Sequence, residues 1–99
     1  MLAVIWAQDI PDSAQTRGEH LAAHLAYIES NMATIRVAGP WLGDDGAMIG
    51  SMYVIEVDSL AAAHAWIAAD PYTAAGVWQS CSVWPYYAAA GTWVGGRNW

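Results

Sequence analysis

Leu2-Ala-Val-Ile-Trp-Ala-Gln8 is the stretch on which the fold turns. It is short, β-branched and aromatic, and it stops at Asp9 and Pro11, which reads as a strand buried on both faces. Val4 and Trp6 alternate with Ala3 and Ile5, so the sheet built on this strand needs cover on both sides. The next segment supplies one cover. Asp12 with Gln15 three residues on resembles a capping box, and Leu21, Leu25, Ile28 and Met32 recur at helical spacing. Together they predict an amphipathic helix from about Ser13 to Met32, with Gly18 as its weak point.

Outward from this pair the period alternates again. Thr34–Ala38 reads as a second strand ending in Gly39-Pro40, and Gly43, Asp44, Asp45 and Gly46 carry turn chemistry. Ser51–Val57 reads as a third strand. Asp58 or Ser59 can cap a second helix whose Leu60, Ala63 and Ile67 share one side. That helix ends at Asp70, because Pro71 disfavours helical backbone in the residue before it. Thr73–Gly76 reads as a short turn, Val77–Tyr86 as a fourth strand, and the tail Ala88–Trp99 has no assignable element. The sum is β-α-β-β-α-β, the ferredoxin-like split βαβ arrangement of an α+β domain with a four-stranded antiparallel sheet. Two helices cover one face of such a sheet. The other face is apolar too, and a second copy of the same sheet is the economical cover, which predicts a homodimer or higher homo-oligomer. Residues 1–87 form the expected domain, and 88–99 a tail that contacts a dimer partner or a pocket.

Composition excludes several classes. The chain has 99 residues, 57% of them hydrophobic and 12% charged, and a domain this small buries only about 65% of its unfolded surface. Some apolar side chains must therefore meet a partner or ligand. Seven Trp and five Tyr argue against disorder. Arg17, Arg36 and Arg97 are the only cations against nine carboxylates, so no basic stripe exists for nucleic acid. Residues 71–96 carry no acidic or basic side chain, yet Gln79, Ser80, Ser82, Pro85 and several glycines break them up, and no membrane span is expected. No basic segment precedes an apolar core at the start, so no signal peptide is expected and the location predicted is cytoplasmic. Cys81 stands alone, which excludes an internal disulfide, and it reads as a small packed side chain.

Two places carry chemistry. His20 and His24 are four apart on the first helix, but the Leu-Ala-Ala between them lacks a protease glutamate and no third ligand is adjacent, so no metal is assigned. His24 lies between Leu21 and Ile28 on the wheel, nearly in line with Arg17; on spacing alone it reads first as a core-margin histidine satisfied by one hydrogen bond and second as a titratable catalytic group. His64 reads as an ordinary helical residue. Asp70-Pro71-Tyr72 is a favoured N-cap and N1 pair, with Gly76 as the stop. A carboxylate fixed in that way can also orient an imidazole, select its tautomer and favour the imidazolium.

The opening Met-Leu-Ala-Val-Ile-Trp-Ala-Gln-Asp, the Ala-His24-Leu-Ala after Arg17, Ala-Gly39-Pro40, Gly50-Ser51, and above all Ala-Asp70-Pro71-Tyr72 with Ala-Ala-Gly76-Val and Ser-Val-Trp-Pro resemble the YciI-like (YCII-domain) family over roughly residues 1–87. The resemblance implies a dimeric α+β barrel, in which two ferredoxin-like sheets pack face to face, and an active-site His and Asp at His24 and Asp70. One activity known in the family is dehydrochlorination of a chlorinated hydroxyhydroquinone; related barrels include muconolactone isomerases and small monooxygenases. The chain departs from the family pattern at its end, where Tyr86-Tyr87 and an Ala/Gly/Trp tail with Trp93 and Trp99 replace a basic segment, and in its short loop with Asp44 and Asp45.

The function expected is a cofactor-independent enzyme of lyase or isomerase type, such as a dehydrochlorinase or dehydratase, acting on a small cyclic or aromatic oxygenated substrate. His24 is the base or acid and Asp70 its orienting partner; Arg17, Ser51 and Tyr72 are the substrate-binding candidates. Two other readings stand beside it: a non-catalytic dimeric module holding an aromatic small molecule between its Trp residues, and a monooxygenase-like barrel, with or without haem.

Overall fold

The computed structural model describes residues 1–98; Trp99, grouped above with the tail aromatics, lies outside them. Strand β1 (Leu2–Asp9) leads to helix α1 (Ala14–Ser30), then β2 (Ile35–Leu42), β3 (Met48–Glu56), α2 (Leu60–Ala68), the short α3 (Pro71–Ala74) and β4 (Trp78–Tyr86). The strands form one antiparallel sheet in the order β2-β3-β1-β4. This is the ferredoxin-like α+β arrangement, with β1 central as its two-sided apolar pattern demands.

Alternation along the strands divides the sheet cleanly. Ala3, Ile5 and Ala7 on β1 with Tyr53 and Ile55 on β3 face the helices and meet Ala63 and Ile67 of α2, forming a core packed at its margin by Ile28, Trp66, Trp78 and Val83. Complete burial of a side chain such as Ile5 is worth about 1.5–3 kcal/mol. The opposite face carries Val4, Trp6, Met52, Val54, Trp84 and Tyr86, with Trp84 62% exposed. No helix lies against that face among the described residues.

Several local expectations are corrected. Strand β2 runs on through Gly39-Pro40 to Leu42; Pro40 is tolerated because β2 is an edge strand and pairs with β3 alone. The capping box does not form: Ser13 is the N-cap of α1, its hydroxyl turns to Asp9, and Gln15 binds Glu19 instead. The apolar stripe of α1 is rotated away from the core. Leu21, Leu25 and Met32 are exposed, because the ion pairs of Arg17 and His24 draw their own side of the helix inward and only Ile28 of the stripe packs on the core. Cys81 is exposed, not packed; it lies opposite Ala7 on the edge strand β4. Two glycines answer to geometry. A side chain on Gly50 would collide with the Trp41 ring lying over it, and Gly76, at φ 77°, closes α3.

The tail does have structure. Tyr87 leads to a small hairpin of β5 (Ala90–Gly91) and β6 (Gly96–Arg97) joined by a 3-10 turn at Thr92–Val94, and Asn98 ties back to Ala88 and Ala89 while accepting from the Tyr87 hydroxyl. It rises beside the open sheet face. Between them lies a groove of about 820 Å³ whose walls include Val4, Trp6 and Val54 from the sheet and Tyr87 and Trp93 from the tail.

Candidate active site

Helix α1 presents Arg17 and His24, two turns apart, on its inward side. A charge so placed needs a partner, and each has a buried aspartate. Asp9, at the end of β1, accepts from Arg17 Nε at 2.7 Å and Nη2 at 3.1 Å and from the Ser13 hydroxyl at 2.6 Å. Arg17 Nη2 also donates to Gly50 O at 3.0 Å and Ser51 Oγ at 3.1 Å. Among the described residues Nη1 meets the thioether of Met48, at 3.8 Å. The guanidinium also lies over the rings of Tyr72 and Trp78.

Asp70 is 0% exposed. The extended backbone before Pro71 makes it the N-cap of α3, and Oδ1 accepts from Tyr72 N at 2.9 Å. His24 Nδ1 lies 2.9 Å from Oδ1 and 3.0 Å from Oδ2. An ionised carboxylate only accepts, so Nδ1 carries the hydrogen, and Nε2 is the ring nitrogen that Asp70 does not engage. The His24 ring is stacked on that of Tyr72, with centroids 3.9 Å apart and planes 1° from parallel. Tyr72 donates to Arg17 O at 2.9 Å, which joins the two ion pairs. Burial pushes the Tyr72 phenol above its ordinary range, against the opposing pull of Arg17.

The five residues singled out in the sequence thus fall in one region, in two groups: His24, Asp70 and Tyr72, and Arg17 with Ser51. Arg17, His24 and Ser51 line a crevice of about 220 Å³ between α1 and the β2–β3 side of the sheet, with Leu25, Ile28 and Pro40 as apolar wall. Tyr72 and Asp70 stand behind it. The larger groove lies across the sheet and holds none of these groups.

Two residues were missed. Asp9 read only as the stop of a strand, although it is eight positions before the arginine it neutralises. Tyr53 donates to Asp70 Oδ2 at 3.2 Å, and its parity with Ser51 on a predicted strand is the signal that could have found it. Burial, then the Asp70 charge, raises the Tyr53 phenol far above the usual range, so it remains a donor.

The sequence pattern of the YCII-related domain matches residues 1–87. The protein YciI of Escherichia coli is 43% identical over 94 residues, spanning 87% of this chain and 96% of its own; an uncharacterized protein of Haemophilus influenzae is 35% identical over the same spans. Among solved structures, 5-chloro-2-hydroxyhydroquinone dehydrochlorinase (TftG) from Burkholderia phenoliruptrix, in complex with 2,5-dihydroxybenzoquinone, superposes with a TM-score of 0.82 at 38% identity, covering 93% of this chain and 97% of that one.

Proposed function

The chain belongs to the YCII-related domain family, and from that premise we propose that it is a small acid–base enzyme of lyase or isomerase type, acting on a cyclic or aromatic oxygenated substrate in the crevice beside His24. The observation that carries the proposal is the His24 Nδ1 contact with both oxygens of the buried Asp70, which leaves Nε2 to exchange a proton. An elimination starts from the keto tautomer of the ring, where the carbon bearing the leaving group is tetrahedral. Nε2 takes a proton from a ring hydroxyl, the O–H electron pair becomes the carbonyl π bond, the adjoining ring double bond shifts to the tetrahedral carbon, and halide or hydroxide departs with the electrons of its bond to that carbon. Asp70 fixes the tautomer and balances the imidazolium. Arg17 Nη1, whose partner among the described residues is a thioether, is the donor available to the oxygen on which charge develops; Ser51 forms part of the binding wall, and Tyr72, buried behind it, supports the His24 ring. No step calls for a cofactor or metal.

Support comes from the dehydrochlorinase with which the fold superposes. Its named substrate, 5-chloro-2-hydroxyhydroquinone, is the first compound to assay, by chloride release. We expect His24→Ala and Asp70→Asn each to lose about 10²- to 10⁴-fold in kcat, the usual contribution of one acid–base group. Full turnover in either variant would refute the assignment.

The apolar open face we read as the contact with a second copy, sheet against sheet, in a dimeric α+β barrel. The 820 Å³ groove favours one other reading, a monomer holding an aromatic molecule there without transforming it. A monomer whose tryptophan fluorescence is saturably quenched by an aromatic ligand, unchanged in His24→Ala and with the ligand recovered intact, would favour that reading.

A further inference from the structure

Three donors converge on the carboxylate of Asp70. Two are accounted for by local structure: Tyr72 N–H belongs to the cap of α3, and His24 Nδ1–H is the other half of the ion pair. The third, the Tyr53 hydroxyl, comes from β3 and reaches Oδ2 at 3.2 Å. Capping does not require it. Nor is its ring loose, since Tyr53 is fully buried and meets Trp66 edge-on, with centroids 5.4 Å apart at 74°. A buried aromatic core position would be filled equally well by Phe; the hydroxyl is the part that needs a reason.

The neighbours of Tyr53 supply one. Ser51 stands two residues earlier on the same face of β3 and accepts from Arg17 Nη2 at 3.1 Å, and its influence on the Tyr53 phenol opposes that of burial and of Asp70. The Tyr53 hydroxyl gives its single proton to Asp70 Oδ2, and His24 meets the same carboxylate from the other side. A carboxylate that shares charge with an additional donor holds an imidazolium less strongly.

We propose that Tyr53 is a positioning residue of the His24–Asp70 pair: it pins Oδ2, draws charge from the carboxylate, and thereby sets how readily His24 gives up its proton. The proposal deepens the acid–base reading above and rests on it for its consequence in turnover. The other titratable and charged groups around the pair are Tyr72 from α3, Arg17 with its Asp9, and Tyr27 on α1, whose phenol feels both burial and Asp70; none of them donates a side-chain hydrogen to Asp70 among the described residues.

The test is a nuclear magnetic resonance titration of the His24 ring nitrogens, which needs no substrate. Tyr53→Phe keeps the ring against Trp66 and removes the donor. We expect the His24 midpoint to rise by about 0.5 to 1 pH unit. A 3-fluorotyrosine placed at 53, a stronger donor of nearly the same shape, moves it in the opposite sense and serves also if Tyr53→Phe does not fold. A midpoint unmoved by the substitutions that fold overturns the proposal. Turnover separates the two claims. A shifted midpoint with full activity in His24→Ala leaves the positioning role standing and removes the acid–base reading; an unmoved midpoint with inactive His24→Ala does the reverse.

Discussion

A buried phenol can serve a carboxylate only while it keeps its proton. Tyr27, Tyr53 and Tyr72 are all raised above the ordinary tyrosine range, in each case chiefly by burial and further by the Asp70 charge. The unfolded chain titrates these groups near about pH 10, whereas the folded chain holds their protons longer, so their contribution to stability is intact below about pH 10 and is lost as pH rises beyond it. We therefore expect the tyrosinate absorbance of Tyr27, Tyr53 and Tyr72 to develop late and to coincide with loss of structure in a base titration followed by circular dichroism. Free ionisation of every tyrosine near pH 10 with the fold intact would contradict this. At this scale His24 and Asp70 were legible because an aspartate before proline and a histidine on a helix each carry a local signal. Tyr53 and Asp9 were not, since their partners lie 17 and 8 residues away and only the pairing of strands brings them into reach.

Helix α1 shows where element-scale reasoning failed and why. Its apolar repeat was read as the buried stripe, yet Leu21, Leu25 and Met32 are exposed while Arg17 is 8% exposed. Burying an arginine is costly alone, but with Asp9, Gly50 O and Ser51 as acceptors the cost is met, and seating His24 against Asp70 fixes the same rotation. The consequence is measurable by denaturant unfolding. Ile28→Ala, on the core margin, is expected to cost about 1–2 kcal/mol for a partly buried isoleucine, and Met32→Ser to stay within about 0.5 kcal/mol. Equal losses in both would restore the rotation read from the sequence. The short α3 was legible in full, because Asp70, Pro71 and Gly76 are cap, first-turn and stop residues that act locally.

On the scale of the whole molecule, the apolar excess of so small a domain divides between two faces of one sheet. The order of elements along the chain was legible because the hydrophobic period changes from strand to helix at each boundary, which needs no tertiary knowledge. The tail hairpin was not, because its Gly-rich sequence has no period to read and its bonds run through Asn98 and backbone carbonyls. The helix side holds the core and the His24–Asp70 crevice; the open side, with Trp6, Trp84 and Tyr86, is the surface proposed for a second copy. Sedimentation at micromolar concentration is expected to give twice the chain mass or a multiple of it, and Trp84→Glu on the open face to shift it toward the monomer; a strict monomer in the unaltered protein would contradict the barrel. The central claim, that the chemistry resides on the helix side in the His24–Asp70 pair, is tested most directly by chloride release from a chlorinated hydroxyhydroquinone. The account predicts turnover by the unaltered chain and a loss of about 10²-fold or more in His24→Ala; equal rates in the two proteins would contradict it.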